Sequence, residues 1–192
     1  MTPREPRRAD AQRNRGLLLT AAEAALNAHG ATASLDDIAR AAGVGNATLY
    51  RHFPTRAELI EAVYDQRIRQ LCATATELAQ IRDPAAALSE WLRALVAHIT
   101  GSRVLADAFT ATREGQPGSE PPQVTAWHSA IYDAALPLLA AAQDAGVIRP
   151  DLSLTELMSL TAAVARAGDG KHAERFLDVL LEGIIPRPSS SR

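Results

Sequence analysis

From Asp10 to Ile184 the apolar residues of this chain recur three and four apart. The breaks between the runs carry residues that start and stop helices. Leu17, Leu18, Ala21, Ala22, Ala25 and Leu26 make one such face, closed by Gly30. Ser34-Leu-Asp-Asp37 then offers a hydroxyl N-cap and two acids to the positive end of a helix dipole. Leu35, Ile38, Ala39 and Ala42 form the apolar face of that short helix, which Gly43 ends. A second short helix opens near Gly45-Asn46 and must stop before Pro54, because proline disfavours helical geometry in the residue ahead of it. Thr55-Arg-Ala-Glu58 is a capping box for a long helix reaching Ile81, and Asp83-Pro84 is an N-cap followed by a first-turn proline. Further helices are expected over 84–99, 103–113 and 123–145. Another follows the capping box Ser153-Leu-Thr-Glu156, and a last one carries Phe176 to Ile184. No segment alternates like a strand, so the expected fold is all-α with about nine helices. Residues 115–122 read as a loop and 186–192 as a disordered tail.

Composition narrows the classes. Apolar residues make up 47% of the 192 but aromatics only 4%, so Ala and Leu, both strong helix formers, dominate. The run Ala134 to Ala142 is too short to span a bilayer and is interrupted by Pro137. The opening Met-Thr-Pro-Arg-Glu-Pro-Arg-Arg lacks the apolar core of a secretory signal. Cys72 is the one cysteine, which removes intrachain disulfides and cysteine-based metal sites. A soluble, cytoplasmic protein without a cofactor and with no membrane partner is expected. Charge is unevenly spread: residues 1–56 carry eight arginines against five acids, and residues 57–192 twelve basic residues against seventeen acids. The basic end points toward a polyanion.

The stretch GVGNATLYRHFPTR, Gly43 to Arg56, half-imitates a dinucleotide-binding loop. It fails as one: the third glycine is replaced by Thr48, and a short amphipathic helix precedes it where that loop follows a strand. As a helix-turn-helix it fits at each position. Gly43-Val44-Gly45 supplies the tight turn, and Ala39 and Ala42 are small enough for close packing. Leu49 and Phe53, four apart, anchor the second helix inward. Asn46, Ala47, Thr48, Tyr50, Arg51 and His52 are left outside, with the amide, methyl, hydroxyls and cations that base edges and phosphates require.

These residues, Asp37-Ile38-Ala39, Ala42-Gly43-Val44, Thr48-Leu49-Tyr50, Phe53 and the basic Arg56, resemble the tetracycline-repressor (TetR) family of bacterial transcription regulators. The resemblance covers about the first third of the chain. It implies a DNA-binding domain over 10–56 with its motif at 34–53, behind a basic, disordered arm (1–9). A helical effector-binding and dimerisation domain (57–185) is implied beyond it, in a homodimer with two reading heads. By position in the family, Gly45 to Thr48 approach base edges, the Thr48 hydroxyl and Tyr50 lie near the backbone, and Ser34 and Arg56 reach phosphate. Many relatives have serine at Gly45 and lysine at Arg56, so the bases read here need not match theirs. Arg4, Arg7, Arg8, Arg13 and Arg15 either grip DNA or form a solvated tail.

Two further expectations concern the C-terminal part. Trp91, Leu95, His98, Phe109, Arg113, Trp127, His128 and Tyr132 gather aromatic and polar groups on the middle helices. They read either as ordinary core or as the walls of a small-molecule effector pocket. Leu157, Leu160, Val164, Phe176, Leu177, Leu180, Leu181 and Ile184 give the last two helices wide apolar stripes, suited to burial within the subunit and across a twofold axis. The expected function is a transcriptional repressor that binds a palindromic double-stranded DNA operator as a homodimer and is released by a small molecule. The alternatives are an activator, a ligand-independent regulator, or an all-helical enzyme or carrier. No catalytic nucleophile–base pair and no metal-ligand spacing is found.

Overall fold

The computed structural model describes residues 4–101, 122–167 and 170–185. Among them are eight α-helices and no strand. They are α1 (Arg4–His29), α2 (Leu35–Ala41), α3 (Asn46–His52), α4 (Arg56–Ile81), α5 (Pro84–Gly101), α6 (Pro122–Asp144), α7 (Leu154–Arg166) and α8 (Gly170–Ile184), with a 3-10 turn at Gly30–Thr32. The all-helical expectation holds. The helix expected over 103–113 and the tail at 186–192 lie outside the described residues. One boundary moves: α1 opens at Arg4 rather than Asp10, so residues 4–9 of the expected arm are helical.

The start signals act as the sequence implies. Asp83 accepts the Ala86 N–H at 3.0 Å ahead of α5. At α7, Ser153 accepts the Glu156 N–H while the Glu156 carboxylate takes the Ser153 N–H, a complete capping box. At α4 the box is half made: Thr55 Oγ1 accepts the Glu58 N–H, but its hydroxyl, not its backbone, binds the Glu58 carboxylate. Pro137 sits inside α6. Both Pro137 and Asp133, whose carbonyl the missing N–H would have bonded, are exposed, so solvent can take up the lost bond.

The described residues form two compact units, whose boundary falls within α4 between Gln66 and Arg67. The first has a core of Leu18, Leu19, Ala22 and Leu26 from α1, Ile38, Ala39 and Ala42 from the second helix and its cap, Leu49 and Phe53 from α3 and its cap, and Leu59, Ile60 and Val63 from α4. In the second unit α5 packs against α6, α7 and α8. Trp91 is fully buried there, and its indole N–H donates to the Leu71 carbonyl at 3.0 Å. That bond supplies the partner a buried tryptophan requires.

Candidate nucleic-acid interface

The interface is built by two seven-residue helices and the turn between them. Ser34 caps α2 by accepting the Asp37 N–H at 3.3 Å. At the other end Gly43 adopts φ +68°, a left-handed conformation that a side chain would strain. Its N–H bonds the Arg40 carbonyl at 3.1 Å and the Val44 N–H bonds the Ala39 carbonyl at 3.0 Å. These two bonds are a Schellman closure, which satisfies two carbonyls the helix end would otherwise leave open. The chain then turns at Gly45, the N-cap of α3, in extended geometry and with no side chain to cap.

The periodicity of α3 divides it as expected. Leu49 and Phe53 are 1% and 3% exposed, whereas Tyr50 is 48% exposed. Gly45, Asn46, Ala47 and Arg51 are exposed with Tyr50, while Thr48 and His52 are half-buried. His52 therefore departs from the expected open face. Its ring lies 6.3 Å from that of Phe53, and its buried Nε2 meets no hydrogen-bond partner among the described residues. Burial, reinforced by the Arg51 and Arg15 cations, pulls its pKa below the usual histidine value, so His52 is neutral near pH 7.

Three contacts escape the sequence reading. Arg15, expected in a DNA-gripping arm or a solvated tail, lies on α1 with its guanidinium 5.3 Å from the centre of the Phe53 ring, in cation–π range. Arg56, expected to reach phosphate, donates from Nη2 to the Ala33 carbonyl at 2.6 Å, tying the start of α4 to the residue before the α2 cap. Asn46 donates from Nδ2 to the Asp36 carboxylate at 2.7 Å, joining the first turns of α3 and α2. None of these pairs has a helical spacing; only the packing of separate elements brings them together. Arg13, also expected in the arm, pairs with Asp10 on exposed helix surface.

In the second unit, Trp91, Leu95 and Trp127 are buried. His98 and Tyr132 are half-buried, but His128, expected in the core or in a pocket wall, is exposed at a surface position of α6. Phe109 and Arg113 lie outside the described residues. The His98 pKa falls to about 4, first because of burial and then because of the Arg67 cation. Cys72, expected as a buried hydrophobe, is half-buried, and its thiol donates to the Ala130 carbonyl at 3.4 Å. Burial, and then the Asp133 carboxylate, raises that thiol's pKa.

The stripes on α7 and α8 split in two. Leu157, Leu177 and Ile184 are sealed inside the unit, 0%, 0% and 5% exposed, so these three are core rather than interface. Val164, Leu180 and Leu181 are half-buried. Leu160 and Phe176 are exposed, joined by Val179, which the sequence reading passed over. A shallow groove of about 400 Å³ at the start of α7 is lined by Leu152, Thr155, Glu156, Ser159 and Leu160, and shares no residue with the expected effector pocket.

A glycine-closed turn between two short helices, the second with a buried apolar edge and an exposed polar one, is a DNA-reading helix-turn-helix. Comparison with known proteins agrees. Residues 18–63 match the profile of bacterial regulatory proteins of the tetR family, and residues 83–186 that of the SbtR-like transcriptional regulator C-terminal domain. The chain is 35% identical to a TetR transcriptional regulator from Streptomyces coelicolor, with a TM-score of 0.77 over 91% of this chain and 99% of that one. It is 31% identical to a TetR regulatory protein from Mycobacterium vanbaalenii, with a TM-score of 0.74 over 93% and 99% of the two chains. A 67-residue stretch is also 37% identical to the HTH-type transcriptional regulator SAR0097 of Staphylococcus aureus, covering 34% of this chain and 35% of that protein. The chain spans about a third of the length of that curated relative. The protein belongs to the TetR family of DNA-binding transcriptional regulators. Among the described residues no helix is long and apolar enough to cross a membrane, and no cluster of three metal-ligating side chains occurs.

Proposed function

We propose that this regulator is a repressor that binds a palindromic operator as a homodimer and is released by a small-molecule effector. The observation that carries the reading is the division of α3: Leu49 and Phe53 fasten it to its unit, and Asn46, Ala47, Tyr50 and Arg51 face outward. Asn46 and Ala47, in the first turn of α3, meet base edges, and Gly45 allows the backbone close. Tyr50, Arg51 and the Ser34 hydroxyl meet the phosphodiester backbone, with Arg56 holding the α2 entry in place.

Homodimerisation is supported by the exposed Leu160, Phe176 and Val179 on neighbouring helices, an apolar surface of the kind a twofold interface covers. In a dimer the two copies of α3 enter successive major grooves about 34–36 Å apart. An effector held near Trp91, Leu95 and Trp127 would act through α4, whose first residues belong to the DNA-reading unit and whose later ones belong to the other. A ligand that prefers the arrangement unfit for DNA weakens binding by its difference in affinity between the two states.

Selection of bound duplexes from a random library by the purified protein tests the reading. The expected winners are inverted repeats with half-sites one helical turn apart, and light scattering should give twice the chain mass. Enrichment of no duplex, or of sites lacking twofold symmetry, contradicts it.

A further inference from the structure

Asn46 opens α3, and Asp36 lies in the first turn of α2, ten residues earlier. Their 2.7 Å contact has only one chemical sense, because an ionised carboxylate accepts hydrogen bonds and cannot donate them. The amide nitrogen of Asn46 therefore faces Asp36. A solvated asparagine side chain can present either end of its amide; this one is held. We propose that Asp36 is a specificity-determining positioning residue. Its carboxylate orients the Asn46 amide so that Oδ1 and the second N–H face the major groove and select adenine at one step of each operator half-site. The inference rests on the DNA-reading role of α3 given above.

Three observations support it. The atoms left over match adenine: Oδ1 accepts from the exocyclic N6 amino group while the remaining N–H donates to N7, the bidentate pairing an asparagine makes in the major groove. The helix start does not need this acid, since Ser34 already caps α2 and Asp37 supplies first-turn negative charge, itself paired with Arg40 at 2.6 Å. The backbone between the two side chains is fixed by the Gly43 closure, so holding the amide requires ordering only two short side chains with a charge-assisted bond. A carboxylate so placed also adds negative charge next to a polyanion. That repulsion opposes every sequence alike, whereas an oriented amide favours one base.

The test is base-by-base operator selection with wild type, D36A, N46A and the D36A/N46A double variant, each checked for helicity and melting temperature. D37A serves as a control that removes a neighbouring first-turn acid. Wild type should prefer adenine at the Asn46 step by about fivefold or more. D36A and N46A should each erase that preference, and the double variant should lose no more than either alone, because both changes break one unit. D37A should keep the preference. Retained adenine selection in D36A, or independent effects that add, overturns the inference while leaving the DNA-reading role intact. If wild type enriches no duplex at all, both fall, and the failure is assigned to the role of α3.

Discussion

Helix α3 and the pair α7–α8 obey one rule on the inside and opposite rules on the outside. Each buries an apolar edge in its own unit: Leu49 and Phe53 in one case, Leu157 and Leu177 in the other. Outward, α3 shows an amide, a methyl, a phenol and a guanidinium, whereas α7 and α8 show Leu160, Phe176 and Val179. Burial alone says that a helix is attached. The chemistry of the face left over says to what: polar and cationic groups suit a hydrated polyanion, and apolar ones a protein surface that can be dried.

The inner edges should be costly to change in both regions. Leu49→Ala is expected to destabilise the first unit by about 3 kcal/mol, since it deletes a fully buried side chain from a helix of only seven residues. Leu157→Ala should cost the second unit a similar amount. Chemical denaturation of both variants checks this; a loss below about 1 kcal/mol at either site would mean that the edge is not core.

Outer-edge changes should spare folding and remove partners selectively. Phe176→Glu is expected to weaken self-association by about 2 kcal/mol, roughly thirtyfold, without lowering helicity. Tyr50→Ala should leave association intact and weaken binding to all duplexes by about 1 kcal/mol. Sedimentation and anisotropy titrations separate the two. If Phe176→Glu leaves the dimer unchanged, the exposed apolar face serves some other contact.

A pH experiment sharpens the contrast further. His98 titrates near pH 4 in the folded chain but near 6.5 when unfolded, so between these values the unfolded chain holds the extra proton. Stability contributed by neutral His98 is complete above pH 6.5 and declines as pH falls toward 4, by about 3 kcal/mol in total. His98→Gln should flatten that decline. An equally steep fall in the variant would assign the acid sensitivity elsewhere.

An effect as small as that of Tyr50→Ala is expected at the turn. Gly43→Ala should cost about 1 kcal/mol through its positive φ alone, since an added Cβ would meet no neighbour within 4 Å. Thermal melting measures it, and an unchanged midpoint would mean that the turn tolerates a side chain in the left-handed region.

The reading head was largely legible from sequence because its signals are local. A serine cap, a glycine stop, a four-residue apolar spacing and a proline limit fix two short helices without knowledge of the rest. What escaped there were contacts between separate elements, Arg15 on Phe53, Arg56 on Ala33 and Asn46 with Asp36, which exist only once the unit is folded. In the second unit the helices were legible but the use of their faces was not. Leu157 and Leu160 are three residues apart on one stripe, yet one is sealed and the other 43% exposed. Where the edge of a wide stripe meets solvent depends on how neighbouring helices pack, which spacing does not encode. His128 fell on the wrong side of the same ambiguity.

Whether the open edge of α3 lies along a duplex is read from the salt dependence of DNA affinity in wild type and Tyr50→Ala. Log K should fall steeply and linearly with log salt for wild type, from counterions released at each phosphate contact, and the variant should bind more weakly at every salt concentration. An affinity that ignores salt, or a variant that binds as tightly as wild type throughout, would contradict that placement.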